Sequence, residues 1–295
     1  MNKTLPIWRS LLYVPTTSMR FVDKASTSGA DAVILDLEDS IPESAKADAR
    51  SSLDDAVSLL ASKQNEVLVR VNRPWQMLVP DLESVVQENV RGIVLPKVDD
   101  AGVVRVVDEM LTELEIQHAL QPGHTRLFVR IESARGLRFI DPILSASGRT
   151  VATAIGSGDL SFSTGWSLAG LGLPLAHLTA VTAAIAANCL PLGLAGTITE
   201  FKDLGAFRDL AVVSRDLGSV GSPCIHPSQV PILNEVFQPT KAEVDWATRV
   251  LHAFDQESAR KVGSFMLDGE FIDVAMYEQA RRIQTRTESM NEHTG

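Results

Sequence analysis

Short apolar runs alternate with helical patterns about eight times in this chain. The runs are Ser10–Val14, Ala32–Asp36, Glu66–Asn72, Gly92–Lys97, Arg126–Ile131, Val151–Ile155, a weak one at Leu190–Leu194, and Pro223–His226. Alternation of this kind predicts a parallel sheet with crossover helices. Eight such units over about 250 residues match the size of a closed (β/α)8 TIM barrel. A doubly wound open sheet is the alternative, but no glycine-rich dinucleotide or phosphate-loop fingerprint follows any run.

Helices are expected at Met19–Ser28, after Pro42 toward Leu60, at Pro174–Asn188 and over Phe201–Leu217. Another follows the fourth run, with Val103, Val106, Val107, Met110, Leu111 and Leu114 as its apolar stripe. Pro174–Asn188 is alanine-rich and apolar on most sides, so it reads as a buried helix. Past Pro239 the pattern changes. A charged amphipathic helix runs from Lys241 to about Ala259, Leu267-Asp268-Gly269-Glu270 is a hairpin signal, and a last helix runs from Val274 to about Thr287. This divides the chain into a barrel over residues 1–238 and a C-terminal helical extension over residues 239–295.

With 45% hydrophobic residues, a large core needs no staples. A formal net charge of −10 argues against a nucleic-acid surface, which would need a basic excess. Cys189 and Cys224 lack metal-type spacing and read as buried reduced thiols, which fits a cytoplasmic protein. The N-terminal MNKTLPIWRS has no apolar signal core, and the segment Leu168–Leu194 is too broken by glycine and proline for a membrane span.

The active site of such a barrel lies where its strands end. Strand two brings Asp36, Glu38 and Asp39 there, strand three Arg70 and Asn72, strand four Lys97, strand five Glu132, strand six Asp159 and strand eight His226. Glu132 and Asp159 close successive strands, and two carboxylates that leave positions for water and a chelating substrate suit Mg2+. Each has a plainer role open to it: Asp159 as a helix cap, Glu132 as an ion-pair partner of Arg70 or Arg130. Arg70 is suited to clamp a carboxylate or carbonyl, and it can equally pair with Glu38 or Asp39. His226 caps the next helix or acts in the site. Trp75, Trp166 and Phe162 fill the core or roof the pocket.

Taken together, these residues resemble the citrate lyase β-subunit-like branch of the HpcH/HpaI aldolase superfamily. The motifs that carry the resemblance span almost the whole chain. They are Arg9-Ser-Leu-Leu-Tyr-Val-Pro15, Gly29-Ala-Asp-Ala-Val-Ile-Leu-Asp-Leu-Glu-Asp39, Val69-Arg-Val-Asn72, Gly92-Ile-Val-Leu-Pro-Lys-Val98, Ile131-Glu-Ser-Ala-Arg-Gly-Leu137, Gly156-Ser-Gly-Asp-Leu160, Ile225-His-Pro-Ser-Gln229 and Leu267-Asp-Gly269. The resemblance implies a Mg2+-dependent carbon–carbon lyase that cleaves or forms a 3-hydroxyacyl-CoA thioester such as citryl-CoA, malyl-CoA or citramalyl-CoA. It places Glu132 and Asp159 on the metal ligands, and Arg70, Asp268 and Glu38 among the catalytic groups. Arg70, Arg20, Asn72 and Lys97 become the substrate-binding candidates. It also implies a CoA thioester and a 2-oxo acid as small-molecule partners, with no nucleic acid and no membrane. The assembly would be a homotrimer or hexamer in which Asp268 reaches a neighbouring subunit. Thr16-Thr17 and Pro191-Leu192-Gly193-Leu194 depart from the family pattern. Two other readings stand beside it: a metal-dependent pyruvate-forming aldolase without CoA, and a non-catalytic family member acting as a binding subunit.

Overall fold

The computed structural model describes residues 5–199, 201–258 and 263–294. Eight parallel strands run in the order β7-β6-β5-β4-β3-β2-β1-β8. They are β1 Ser10–Pro15, β2 Ala32–Asp36, β3 Glu66–Arg70, β4 Gly92–Leu95, β5 Arg126–Ile131, β6 Thr150–Ile155, β7 Leu190–Pro191 and β8 Ser222–Cys224. The two ends of this order meet: Leu192 bridges Gly221, and Val220 N donates to Pro191 O at 3.0 Å. The sheet therefore closes on itself as a (β/α)8 barrel. Gly221 stands where β8 passes the chain entering β1. A Cβ there would lie 1.7 Å from the Trp8 carbonyl oxygen, so only glycine fits.

Period-two alternation sorts the strand residues into two layers. Leu11, Ile34, Leu68, Val94, Phe128, Ala152 and Ala154 face one another inside the barrel, with Leu192 from the departing segment after β7. Their neighbours Leu12, Val33, Leu35, Val67, Val69, Ile93, Leu127 and Val129 face outward into the shell of helices. One residue slipped in any strand would exchange the two sets.

The helix Ala101–Gln117 buries Val104, Val107, Leu111 and Glu115, while Val106 is exposed. Its buried stripe is thus rotated from the expected one, because a buried carboxylate belongs to it. Glu115 accepts Arg149 Nη1 at 2.7 Å and Nη2 at 2.8 Å, and also the N–H groups of Gly123 and Thr125. The alanine-rich helix, Gly172–Ala186, is not buried on most sides. Leu175, Leu178 and Ile185 are exposed. Between Leu160 and Thr199 the sequence has no charged side chain, so this surface helix carries no charge to mark its outer face. Trp75, Trp166 and Phe162 are likewise exposed rather than core residues. Cys189 and Cys224 are buried thiols, and no described helix is long and apolar enough to cross a membrane.

His177, on the inner face of Gly172–Ala186, is buried with its Nε2 2.8 Å from Ser219 Oγ. Burial pushes its pKa down from 6.5 to about 4. Protons therefore bind the unfolded chain first, and stability falls as pH drops from 6.5 toward 4. The expected loss is about 3 kcal/mol over that interval. Urea midpoints measured between pH 7 and 4.5 test this: His177→Phe should flatten the slope, and an unchanged slope would refute the assignment.

By their contacts the residues fall into two compact units, divided between Phe237 and Gln238. The second holds the helix Lys241–Ser258, the hairpin β9 Phe265–Leu267 and β10 Glu270–Ile272, and the helix Val274–Thr294. The expected end of the first of these helices, near Ala259, lies outside the described residues. Ala247, Val250, Ile272 and Ala280 form the small core of this unit. The hairpin turns at Asp268 (φ 52°) and Gly269 (φ 87°), the left-handed pair that an Asp-Gly turn requires.

Candidate active site

The polar groups at the strand ends are the top layer of the barrel interior. Two residues beyond Leu11, Ile34, Leu68 and Phe128 come Tyr13, Asp36, Arg70 and Arg130, and two beyond Arg130 comes Glu132. Alternation alone puts all of these on the inward face. Asp36 and Arg70 are register partners across β2 and β3. Arg70 Nε and Nη2 each donate to Asp36 at 2.7 Å, a bidentate pair. Burial alone would raise Asp36, but the Arg70 hydrogen bonds and charge hold it below the usual carboxylate range. Arg70 also lies over the Tyr13 ring, 4.7 Å from its centroid.

Arg70 Nη1 faces Glu38 at 3.0 Å and Asp39 at 3.3 Å. Lys97 Nζ completes the group, 2.6 Å from Glu38 and 3.1 Å from Asp39. Lys97 holds a left-handed backbone, φ 52°, which costs about 1–2 kcal/mol for a residue with a Cβ. Its own N–H then donates to Glu132 Oε2 at 3.2 Å. Burial pushes Glu38 up to about 7, against the pull of Arg70 and Lys97 and with Asp39 and Glu132 adding to the rise. A carboxyl group with that pKa can exchange a proton near neutral pH.

Glu132 is buried, and its Oε1 accepts Arg130 Nε at 2.9 Å. The ion pair with Arg130 therefore forms, while Arg70 is taken up by Asp36, Glu38 and Asp39. Gly156 N donates to Ile131 O at 2.9 Å, so β5 and β6 leave the sheet side by side. Asp159 follows in the first turn of the helix Ser157–Thr164 and is exposed. Asn72 is buried, and its side-chain amide donates to Leu37 O at 2.9 Å and to Asp81 at 2.8 Å. It fastens the β2 loop to the β3 loop. Arg20 is exposed on the helix Met19–Ser26, outside the hydrogen-bonded group. His226 caps the turn Pro227–Gln229 and stacks on Phe201. Asp268 is exposed at the hairpin turn of the C-terminal unit, 3.5 Å from Arg249.

Tyr13 and Arg130 were not among the expected site residues. The signal for Arg130 was available: it sits two residues before Glu132 on a strand, hence on the same face. Among the described residues no three His, Cys, Asp or Glu side chains gather as a ready-made metal cage. The donor set at the rim still fits a hard divalent cation. One carboxylate, Glu132, is held by a single N–H on each oxygen, leaving lone pairs on both. The other candidate, Asp159, is exposed in the first turn of the helix that follows β6. A Cβ on Gly156 would come within 2.6 Å of Glu132 Cγ and Oε1, so a glycine keeps the seat of that carboxylate clear.

The fold and this rim define a (β/α)8 barrel with an arginine–carboxylate cage at its strand ends, beside Glu132. The family model for HpcH/HpaI aldolase/citrate lyase matches residues 9–227. The L-malyl-CoA/beta-methylmalyl-CoA lyase of Cereibacter sphaeroides is 32% identical, over 96% of this chain and 95% of its own. The citrate lyase subunit beta of Escherichia coli is 31% identical, over 95% and 93%. Among solved structures, CitE from Mycobacterium tuberculosis in complex with magnesium, acetoacetate and coenzyme A superposes with a TM-score of 0.74. It is 25% identical, covering 98% of this chain and 100% of its own. The chain belongs to the HpcH/HpaI aldolase/citrate lyase family, and is a carbon–carbon lyase.

Proposed function

We propose that this protein is a Mg2+-dependent lyase that splits a 3-hydroxyacyl-CoA thioester of the malyl-, citramalyl- or citryl-CoA type into a 2-oxo acid and acetyl-CoA. The observation that carries the reading is the bidentate Asp36–Arg70 pair held at the rim beside Glu132. Asp36 fixes the guanidinium plane, while Asp39, half exposed at 3.3 Å, is the partner that a substrate oxygen displaces. Glu132 and Asp159 would hold the cation. When bound, magnesium supplies Lewis acidity at the substrate oxygen.

In the cleavage direction the substrate hydroxyl loses its proton to Glu38, and the C–C bond between the hydroxyl-bearing carbon and the thioester α-carbon breaks. The hydroxyl oxygen becomes the carbonyl of the 2-oxo acid. The electron pair of the broken bond passes to the thioester enolate, which takes a proton at its α-carbon from Asp268. Arg70 stabilises the oxyanion as it develops. Lys97 holds Glu38, and Arg20, exposed on the helix Met19–Ser26, would meet a CoA phosphate. Asp268 is supplied by a neighbouring copy in a homotrimer or hexamer; its exposure on a tight hairpin turn supports that role. The two buried thiols support a cytoplasmic setting.

A mass-spectrometric screen of malyl-, citramalyl- and citryl-CoA, with and without Mg2+, tests the reading. One of them should yield acetyl-CoA and its 2-oxo acid only with the metal. Asp268→Asn should lose about 100-fold or more in rate, on the scale of a lost general acid, and keep 2-oxo acid binding. If a hydroxy-oxo acid is cleaved to pyruvate while no thioester reacts, the CoA reading fails.

A further inference from the structure

Arg130 takes no part in the proposed chemistry, yet it is buried under the rim between the two halves of the site. Its Nε donates to Glu132 Oε1 at 2.9 Å and its Nη1 to the Tyr13 hydroxyl at 3.0 Å. The Tyr13 ring lies against the Arg70 guanidinium. The other oxygen of Glu132 accepts the Lys97 N–H, and Lys97 Nζ reaches Glu38. Two hydrogen-bonded or stacked routes thus run from the Glu132 carboxylate to the Arg70 cage, one through Lys97 and one through Arg130 and Tyr13. Space is reserved for this arrangement. Gly156 has an ordinary φ of −93°, so its backbone does not demand glycine. A Cβ there would lie 2.6 Å from Glu132 Oε1 and 2.8 Å from Arg130 Nη2.

A buried guanidinium is a costly way to fill a barrel, since an apolar side chain of similar volume usually serves stability as well or better. What arginine adds is a planar fork of donors that fixes two acceptors at once. We infer that Arg130 is a positioning residue for the divalent-cation site: with Tyr13 and Gly156 it holds the Glu132 carboxylate in one orientation and ties it to the Arg70 cage. The inference rests on Glu132 being a metal ligand, as proposed above. The positive charge of Arg130 opposes a cation, so its benefit lies in orientation, and the test must keep that charge constant.

Arg130→Lys keeps the charge and loses the fork. Tyr13→Phe keeps the ring beside Arg70 and loses only the hydroxyl. Mn2+ binding to the substrate-free protein, read by electron paramagnetic resonance, reports the carboxylate seat without turnover. Arg130→Lys should bind Mn2+ about 10- to 100-fold more weakly, the usual effect of losing an outer partner of a metal ligand. Tyr13→Phe should bind about three- to tenfold more weakly, the worth of one hydrogen bond. Circular dichroism at the assay temperature establishes that each variant is folded; if Arg130→Lys is not, Tyr13→Phe decides alone. Wild-type Mn2+ affinity in the folded variants overturns the inference and leaves the metal site standing. A wild-type protein that binds no Mn2+ overturns the metal assignment and this inference with it.

Discussion

Glu132→Gln and Asp159→Asn should each lower Mg2+-dependent cleavage by about 100- to 1,000-fold, the scale of losing one preorganised charge contact to the reacting oxygen. The two substitutions remove the same charge but differ in surroundings. Asp159 is exposed, and its replacement should leave the melting temperature where it is. Glu132 is buried and holds Arg130 Nε, so an amide in place of its carboxylate would leave that guanidinium facing a neutral partner. A stability loss of about 1–3 kcal/mol should accompany the loss of rate. Measured together, steady-state rates and melting curves distinguish a shared metal role from a shared structural one. Full turnover in either variant would refute the two-carboxylate site.

Glu115→Ala should destabilise the barrel by about 3–5 kcal/mol, because it strips a buried guanidinium of its main partner. Glu115 is fully buried and makes four hydrogen bonds, two from Arg149 and one each from the Gly123 and Thr125 N–H groups. Asp108 remains on Arg149 Nε and the Thr112 hydroxyl on Nη2, but Nη1 loses its carboxylate. For a unit of this size the expected fall in melting temperature is roughly 10 °C. The pH dependence has a definite sign. Burial alone would raise Glu115, but the Arg149 bonds and the two backbone N–H groups bring it below 4.5. Its contribution is therefore full above that value and is lost as pH falls through the lower folded value. Calorimetric melts from pH 7 to 3 should show an acid limb that is shallower in the variant. A melting temperature within 2–3 °C of wild type, or about 1 kcal/mol, would show that the pair adds nothing.

Much of the fold was legible because short apolar runs, several with polar residues at their ends, survive in any parallel barrel. The run Ala32–Asp36 coincides with β2, and the Asp-Gly hairpin signal coincides with the turn between β9 and β10. What escaped was set by partners distant in sequence. Glu115 lies outside the apolar stripe read from the sequence, and its partner Arg149 is 34 residues further on. The helix Gly172–Ala186 reads as core because no charge marks its outer face, and its exposed side became visible only with its neighbours in place. At the rim, strand endings pointed to Arg70, Lys97 and Glu132. They did not reveal that Asp36 is the main partner of Arg70, which follows from the register of β2 against β3.

The closure of the barrel has a consequence for its motions. Around most of the ring, neighbouring strands pair over three residues or more, but β7 is two residues long and meets the β8 side through a single bridge at Leu192–Gly221. Opening costs least where the ladder is shortest. The ladder is thinnest on both flanks of β7, so backbone amide exchange is expected to be fastest there. Asp36 and Arg70 stand on the well-laced side, away from it. Asp159 follows β6, the strand that borders β7, so the two sides of the rim rest on ladders of different length. Slow exchange at the Asp36 and Arg70 amides beside fast exchange at Leu190 and Leu192 is the expected outcome.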